Sequence, residues 1–155
     1  AEGDLVQDVR DALARHRTPA DMLEIEITET QLVENFEAVE PILHQLQADG
    51  CRVAIDDFGS GYSSLSYLQR LPVDSVKIDK TFIENLRPGA SRARALVRMI
   101  TELSHALGLV VIAEGVETDE QIEAVVAAGI DLTHGYRFAP PMPFAEFERD
   151  YIRTP

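Results

Sequence analysis

A single cysteine, Cys51, permits no internal disulfide and fits a reducing compartment. No apolar run approaches the roughly 18 residues needed to span a bilayer. The first ten residues, AEGDLVQDVR, lack the basic-then-apolar order of a signal peptide. The expectation is therefore a soluble cytoplasmic domain, free-standing or as the cytoplasmic part of a larger sensor protein, with no direct membrane insertion. Positive charge is also scarce. Fourteen Lys and Arg stand against 27 Asp and Glu, a formal net charge of −13, which argues against a nucleic-acid polymer or an anionic membrane as partner. There is no linker, low-complexity tract or sequence repeat. His16, His44, His105 and His134 are scattered without HExxH spacing, so a histidine-built zinc site is not expected. No GxSxG elbow is present, and Gly59-Ser60-Gly61 lacks the lysine and helix start of a phosphate-binding P-loop.

What is present is a globular composition, 45% hydrophobic, arranged as alternating short β-branched runs and longer helical periods. Leu5, Val6, Val9 and Leu13 space as one helical face, ended by Thr18-Pro19. LEIEIT at 23–28 alternates strictly, with Leu23, Ile25 and Ile27 on one face and Glu24, Glu26 and Thr28 on the other. The next helix carries Phe36, Val39, Ile42, Leu43 and Leu46 and stops at Gly50, with Pro41 predicting a kink or a late start. Strand 52–56 leads into DFGSGYSS and a short helix before Pro72, and strand 75–79 follows. A helix with Leu96, Val97, Ile100, Leu103 and Leu107 inward ends at Gly108. After strand 109–113, Thr118 and Gln121 open a helix as a capping-box pair, with Ile122, Val125 and Val126 as its core face. A weak strand at 130–133 and a helix near 144–151 complete the chain.

Five consecutive βα units imply an α/β fold with a largely parallel sheet. An open doubly wound sheet and part of a barrel both satisfy that pattern. Strands covered by helices on both faces read as continuous apolar runs. Here Glu24/Glu26, Arg52/Asp56 and Lys77/Asp79 fall on one face, which a barrel lumen tolerates better. A complete (β/α)8 barrel takes about 250 residues. The expectation is one partial domain, residues 1–155, holding five βα units of a larger TIM-like barrel.

In parallel α/β folds the functional groups collect at the carboxyl ends of the strands. That position is filled by Glu26 and Glu29, Asp56 and Asp57, Lys77 and Asp79, and Glu114 and Glu117. Facing carboxylates repel one another unless a cation neutralises them, and an all-oxygen set selects Mg2+ or Mn2+. The adjacent Asp56-Asp57 pair suits two ions clamping a phosphoryl displacement. Lys77 supplies a positive group to orient water or stabilise phosphate charge, or else a salt bridge that holds the acids apart.

Five segments then become recognisable together: EITE (26–29), DDFGSGYSSLSYL (56–68), VKID (76–79), AEGVET (113–118) and HGYRFAPPMP (134–143). In their order and spacing the chain resembles the C-terminal part of an EAL domain. The resemblance implies a modified TIM barrel that linearises cyclic di-GMP to pGpG with two metal ions, Mg2+ or Mn2+, as a homodimer of the complete domain. It implies Glu26, Asp56, Asp57 and Glu114 as metal ligands, Lys77 positioning the water, and Glu117 in catalysis. Glu29 would brace the DDFGSGYSS loop, while Asp79, His134 and Tyr136 would support the ligands or bind substrate. Three departures stand out. The family's first metal-binding glutamate and the asparagine of its following strand are absent. His134 replaces the glutamine expected before Gly135. Ala139-Pro140-Pro141 stands where an arginine is common, next to the expected guanine pocket. A metal-dependent phosphodiesterase is the leading expectation, weak in the 155-residue chain alone. The alternative is a catalytically impaired receptor for the dinucleotide, or a protein-interaction module.

Overall fold

The structure, a computed structural model, describes residues 4–59, 68–87 and 89–152. The expected turn at Gly59-Ser60-Gly61 and the short helix after it fall largely on residues 60–67, outside the described residues. The first helix, α1 (Leu5–His16), is opened by Asp4, whose side chain accepts from the Gln7 amide, and closed by Arg17 in the left-handed conformation. Val6 and Val9 pack with Leu46 and Cys51 into a small cluster of their own, and Leu5 stays exposed.

Five strands follow: β1 (Glu24–Thr28), β2 (Arg52–Phe58), β3 (Ser75–Ile78), β4 (Val110–Ala113) and β5 (Leu132–Thr133). All are parallel and lie side by side in chain order. A doubly wound sheet reverses its strand order at a switch point. This one never reverses, so right-handed crossovers deliver every helix to the same face, the arrangement of a barrel wall. That face carries Val53, Ile55, Val76, Ile78 and Val111, almost wholly buried in one core with Leu43, Val97 and Val125 of the helices. The opposite face carries Glu26, Asp56 and Lys77, because side chains alternate along each strand and the register sets Thr28 beside Asp56 and Lys77 beside Ile112.

The helices depart from expectation in informative places. The expected helix carrying Phe36 to Leu46 is α3 (Phe36–Ala48), with Pro41 inside it and no late start, and a separate short helix, α2 (Glu29–Glu34), precedes it across Asn35. Asp79 caps an additional short helix, α4 (Lys80–Glu84). In α5 (Ser91–Ala106), Leu96 is exposed, and Thr101 and Ser104 are buried beside Val97 and Ile100. Their hydroxyls donate to the Val97 and Ile100 carbonyls, so burial leaves no polar group unmet. In α6 (Asp119–Ala128) the capping box of Thr118 and Gln121 forms as expected. Val126, however, is 70% exposed, while Ala124, Val125 and Gln121 are buried. The chain ends in a single turn, α7 (Phe144–Phe147), and a π-helical turn over Glu148–Ile152.

Candidate active site

Lys77, the third residue of β3, lies at the centre of the polar face. Its ammonium sits 2.8 Å from Glu26 Oε1, 2.7 Å from Glu114 Oε1 and 3.4 Å from Asp56 Oδ1. Glu26 comes from β1, Asp56 from β2, and Glu114 from the residue after β4. Strand alternation brings these four residues, spread over 89 positions of sequence, to one point. Burial alone would lower the Lys77 pKa, but hydrogen bonds to Glu114 and Glu26 outweigh it and hold the ammonium above its ordinary range.

The carboxylates crowd beyond what one lysine neutralises. Between Ile55 and Phe58 the pairing of β2 with β3 slips, and Asp57 takes a left-handed backbone with φ +52°. Such a bulge re-aims side chains at a strand end, and here it serves two consecutive aspartates. Asp56, Asp57 and Glu114 each offer an oxygen, all within 4.8 Å of one another. Asp56 Oδ1 is buried without a hydrogen-bond partner among the described residues, facing Lys77 at the longer ion-pair distance. The Asp57 carboxyl is pushed above its usual range by burial, and further by the negative charge of Asp56, Asp79 and Glu114. Asp79 goes the other way. Burial opposes its ionisation, but the Thr81 hydroxyl and amide hold its carboxyl below the usual range. An anionic pocket with an all-oxygen donor set and an unmet carboxylate oxygen fits a hard divalent cation.

The remaining candidates are positioned by other means. Glu29 is 3% exposed at the head of α2, and its Oε2 accepts from the Gly59 amide at 2.9 Å. Gly59 has φ +93°, and a Cβ there would meet the Phe82 ring at 2.9 Å, so carboxylate and glycine together fix the backbone just past Asp57. His134 Nε2 lies 3.2 Å from Glu114 Oε1. Its backbone is tied to the strand before it, donating to Ala113 O and accepting from Val116 N. Gly135 permits that approach, since a Cβ would fall 2.3 Å from the Val116 backbone. Tyr136 is 65% exposed and lines a groove of about 550 Å³ with His134, Pro141, Phe144 and Phe147. Glu117 is not brought to the Lys77 cluster. It is exposed at the entry to α6, where its amide donates to Gln121 Oε1 and its side chain borders a groove with Glu84 and Arg87.

Sequence reasoning missed two residues. Thr81 bonds Asp79 and lowers its pKa, and the signal was available in Asp-Lys-Thr directly after a strand, a helix-capping order. Ser75 donates to Glu24 at 3.1 Å one layer below Lys77, and its place on the alternating face was legible as well.

The EAL-domain family profile matches residues 1–141, and the chain belongs to that family. It is 41% identical over 150 residues to the cyclic di-GMP phosphodiesterase NbdA of Pseudomonas aeruginosa, covering 97% of this chain and 19% of that protein. The MucR phosphodiesterase of the same species, solved with cyclic di-GMP, superposes with a TM-score of 0.89 at 41% identity, over 95% of this chain and 59% of that one. BlrP1 of Klebsiella pneumoniae, solved with manganese and cyclic di-GMP, gives 0.77 at 34% identity, over 85% of this chain and 33% of that one. The chain thus spans about a fifth of the length of the curated relatives it matches. Among the described residues no helix is long and apolar enough to cross a membrane.

Proposed function

We propose that this chain carries the catalytic centre of a metal-dependent phosphodiesterase that hydrolyses cyclic di-GMP to linear pGpG in bacterial second-messenger signalling. The observation that carries the reading is the Lys77 ammonium held against Glu26, Asp56 and Glu114 beside the converging oxygens of Asp56, Asp57 and Glu114. Glu26, Asp56, Asp57 and Glu114 would hold two divalent cations, Mg2+ or Mn2+. Bound there, such ions polarise the phosphate and lower the pKa of a bound water. Lys77 presents a fixed positive charge where the attacking water and the equatorial phosphate oxygens meet. One phosphodiester bond is hydrolysed, and the ring opens to a linear dinucleotide. Glu29 keeps the backbone after Asp57 in place through Gly59. Asp79 adds negative charge beside Asp57, while His134 and Tyr136 border the path of the substrate. Glu117 stands apart, at the entry to α6, and takes no part in holding the cations.

We take the five parallel strands as five of the eight units of a closed barrel. We place the remaining cation ligands on the units that close it, and assign the complete domain to the cytoplasm as a homodimer. The test is a melting experiment on the complete domain with cyclic di-GMP in Mg2+ or Mn2+, followed by chromatography of the nucleotide. Stabilisation with conversion to pGpG is expected. Stabilisation without conversion in the closed barrel would favour a receptor, and neither effect would remove the reading.

A further inference from the structure

We infer that Thr81 is a positioning residue of the acidic site: its hydroxyl fixes the Asp79 carboxyl beside Asp57, and through that contact raises the affinity for a divalent cation at Asp57. The inference rests on the metal-binding reading above. Asp79 follows β3 directly and opens α4, and its Oδ1 accepts from the Thr81 amide at 2.8 Å and also from the Thr81 hydroxyl. A helix N-cap needs only the amide bond. The hydroxyl bond is surplus to capping, and its effect is to keep the Asp79 carboxyl from rotating. Thr81 is held in turn, because Asn85 Nδ2 donates to its carbonyl at 2.6 Å one turn along the chain.

The Asp79 carboxyl also meets that of Asp57, the two joined by a hydrogen bond. Asp57 has particular use for such a neighbour. It stands where the pairing of β2 with β3 slips, on a left-handed backbone with φ +52°. Regular pairing sets the direction of a strand side chain, whereas at a bulge the direction depends on what the side chain touches. Asp57 is also one of the three acids whose oxygens converge. Thr81, Asp79 and Asp57 thus form one chain of contacts that ends on that cluster. Carboxylates that hold a metal are aimed by the groups bonded to them, and a hard cation keeps waters that need fixed acceptors nearby. Outer partners of this kind are worth about 10–100-fold in metal affinity.

The experiment uses a complete EAL domain that contains residues 1–155, with Mn2+ alone as the probe. Thr81→Val and Thr81→Ala remove the hydroxyl and keep the amide bond to Asp79, while Thr81→Ser keeps both. Thr81→Val is also made together with Asp79→Asn. Electron paramagnetic resonance of the free ion gives the Mn2+ dissociation constants. One of them should rise about tenfold or more in Thr81→Val and Thr81→Ala, and stay within about twofold of the parent in Thr81→Ser. Against Asp79→Asn alone, the added Thr81→Val should change nothing, because two residues acting in series are not additive. An unchanged affinity in the variants lacking the hydroxyl, an equal loss in Thr81→Ser, or the full loss repeated on top of Asp79→Asn would overturn the inference and leave the phosphodiesterase reading standing. A parent domain that binds no Mn2+ would overturn both.

Discussion

Replacing Lys77 with methionine keeps the length of the side chain and removes the ammonium that touches Glu26, Asp56 and Glu114 together. The Lys77 side chain is 10% exposed, and Asp56 and Glu114 are 23% and 20% exposed, so water replaces the lost ammonium poorly. Breaking a buried charge network by removing one partner costs about 3–5 kcal/mol. Glu26 is 45% exposed and partly hydrated, which places the expected loss lower, at about 2–3 kcal/mol. For a chain of this size each kcal/mol moves the melting temperature by about 2–4 °C, so the variant should melt roughly 5–10 °C below the parent. Mg2+ should then act as a substitute cation. At a hundred times its Kd a bound ion returns about 2.7 kcal/mol, and the gain should be larger in Lys77→Met than in the parent, where the ammonium competes for the same carboxylates. Differential scanning calorimetry of both proteins, with and without Mg2+, reads these quantities. A variant melting within about 2 °C of the parent, or a parent stabilised more by Mg2+ than the variant, would refute the reasoning.

Two other perturbations probe the frame. Asp131 accepts from the Val111 amide at 2.7 Å and contacts His105, and these outweigh burial to hold its carboxyl below the usual range. A depressed folded pKa contributes stability above the unfolded value of about 3.9 that is lost as pH falls through the folded one. Urea midpoints should therefore show Asp131→Asn weaker than the parent at neutral pH, with the gap closing in acid; a gap constant with pH would contradict this. Gly135→Ala places a methyl 2.3 Å from the Val116 backbone at φ +153°, and strain plus overpacking should cost about 3 kcal/mol or more. A melting temperature equal to the parent's would show that the approach at Val116 is looser than described.

Much of the fold was legible because period-2 and period-3.6 patterns are driven by burial. The alternation of Glu24-Ile25-Glu26-Ile27 survives directly in β1, and Thr118 with Gln121 caps α6 as the spacing requires. Position at the carboxyl end of a strand was enough to single out Glu26, Asp56, Lys77 and Glu114, since parallel order turns that sequence rule into proximity. Apolarity alone misplaced a few positions. Leu96 and Val126 lie outside while Thr101, Ser104 and Gln121 lie inside, because a polar group that bonds its own helix or loop behaves as core. The short helix α2 before Asn35 was not expected, because six residues carry too little periodicity to register. The bulge that turns Asp57 beside Asp56 depends on how two strands pair, which no local pattern encodes. Glu117, equivalent in sequence position to its neighbours, ends up exposed because the chain after Glu114 leaves the sheet before reaching it.

The most direct measurement is turnover of cyclic di-GMP by a complete EAL domain that contains residues 1–155. Chromatography should show pGpG accumulating in Mg2+ or Mn2+ and stopping on chelation. Asp56→Asn and Asp57→Asn should each abolish it, and Lys77→Met should slow it by about 10²–10³-fold while substrate still binds. Undiminished conversion in the presence of chelator, or in both asparagine variants, would contradict the assignment of this acidic cluster as the metal-dependent catalytic centre.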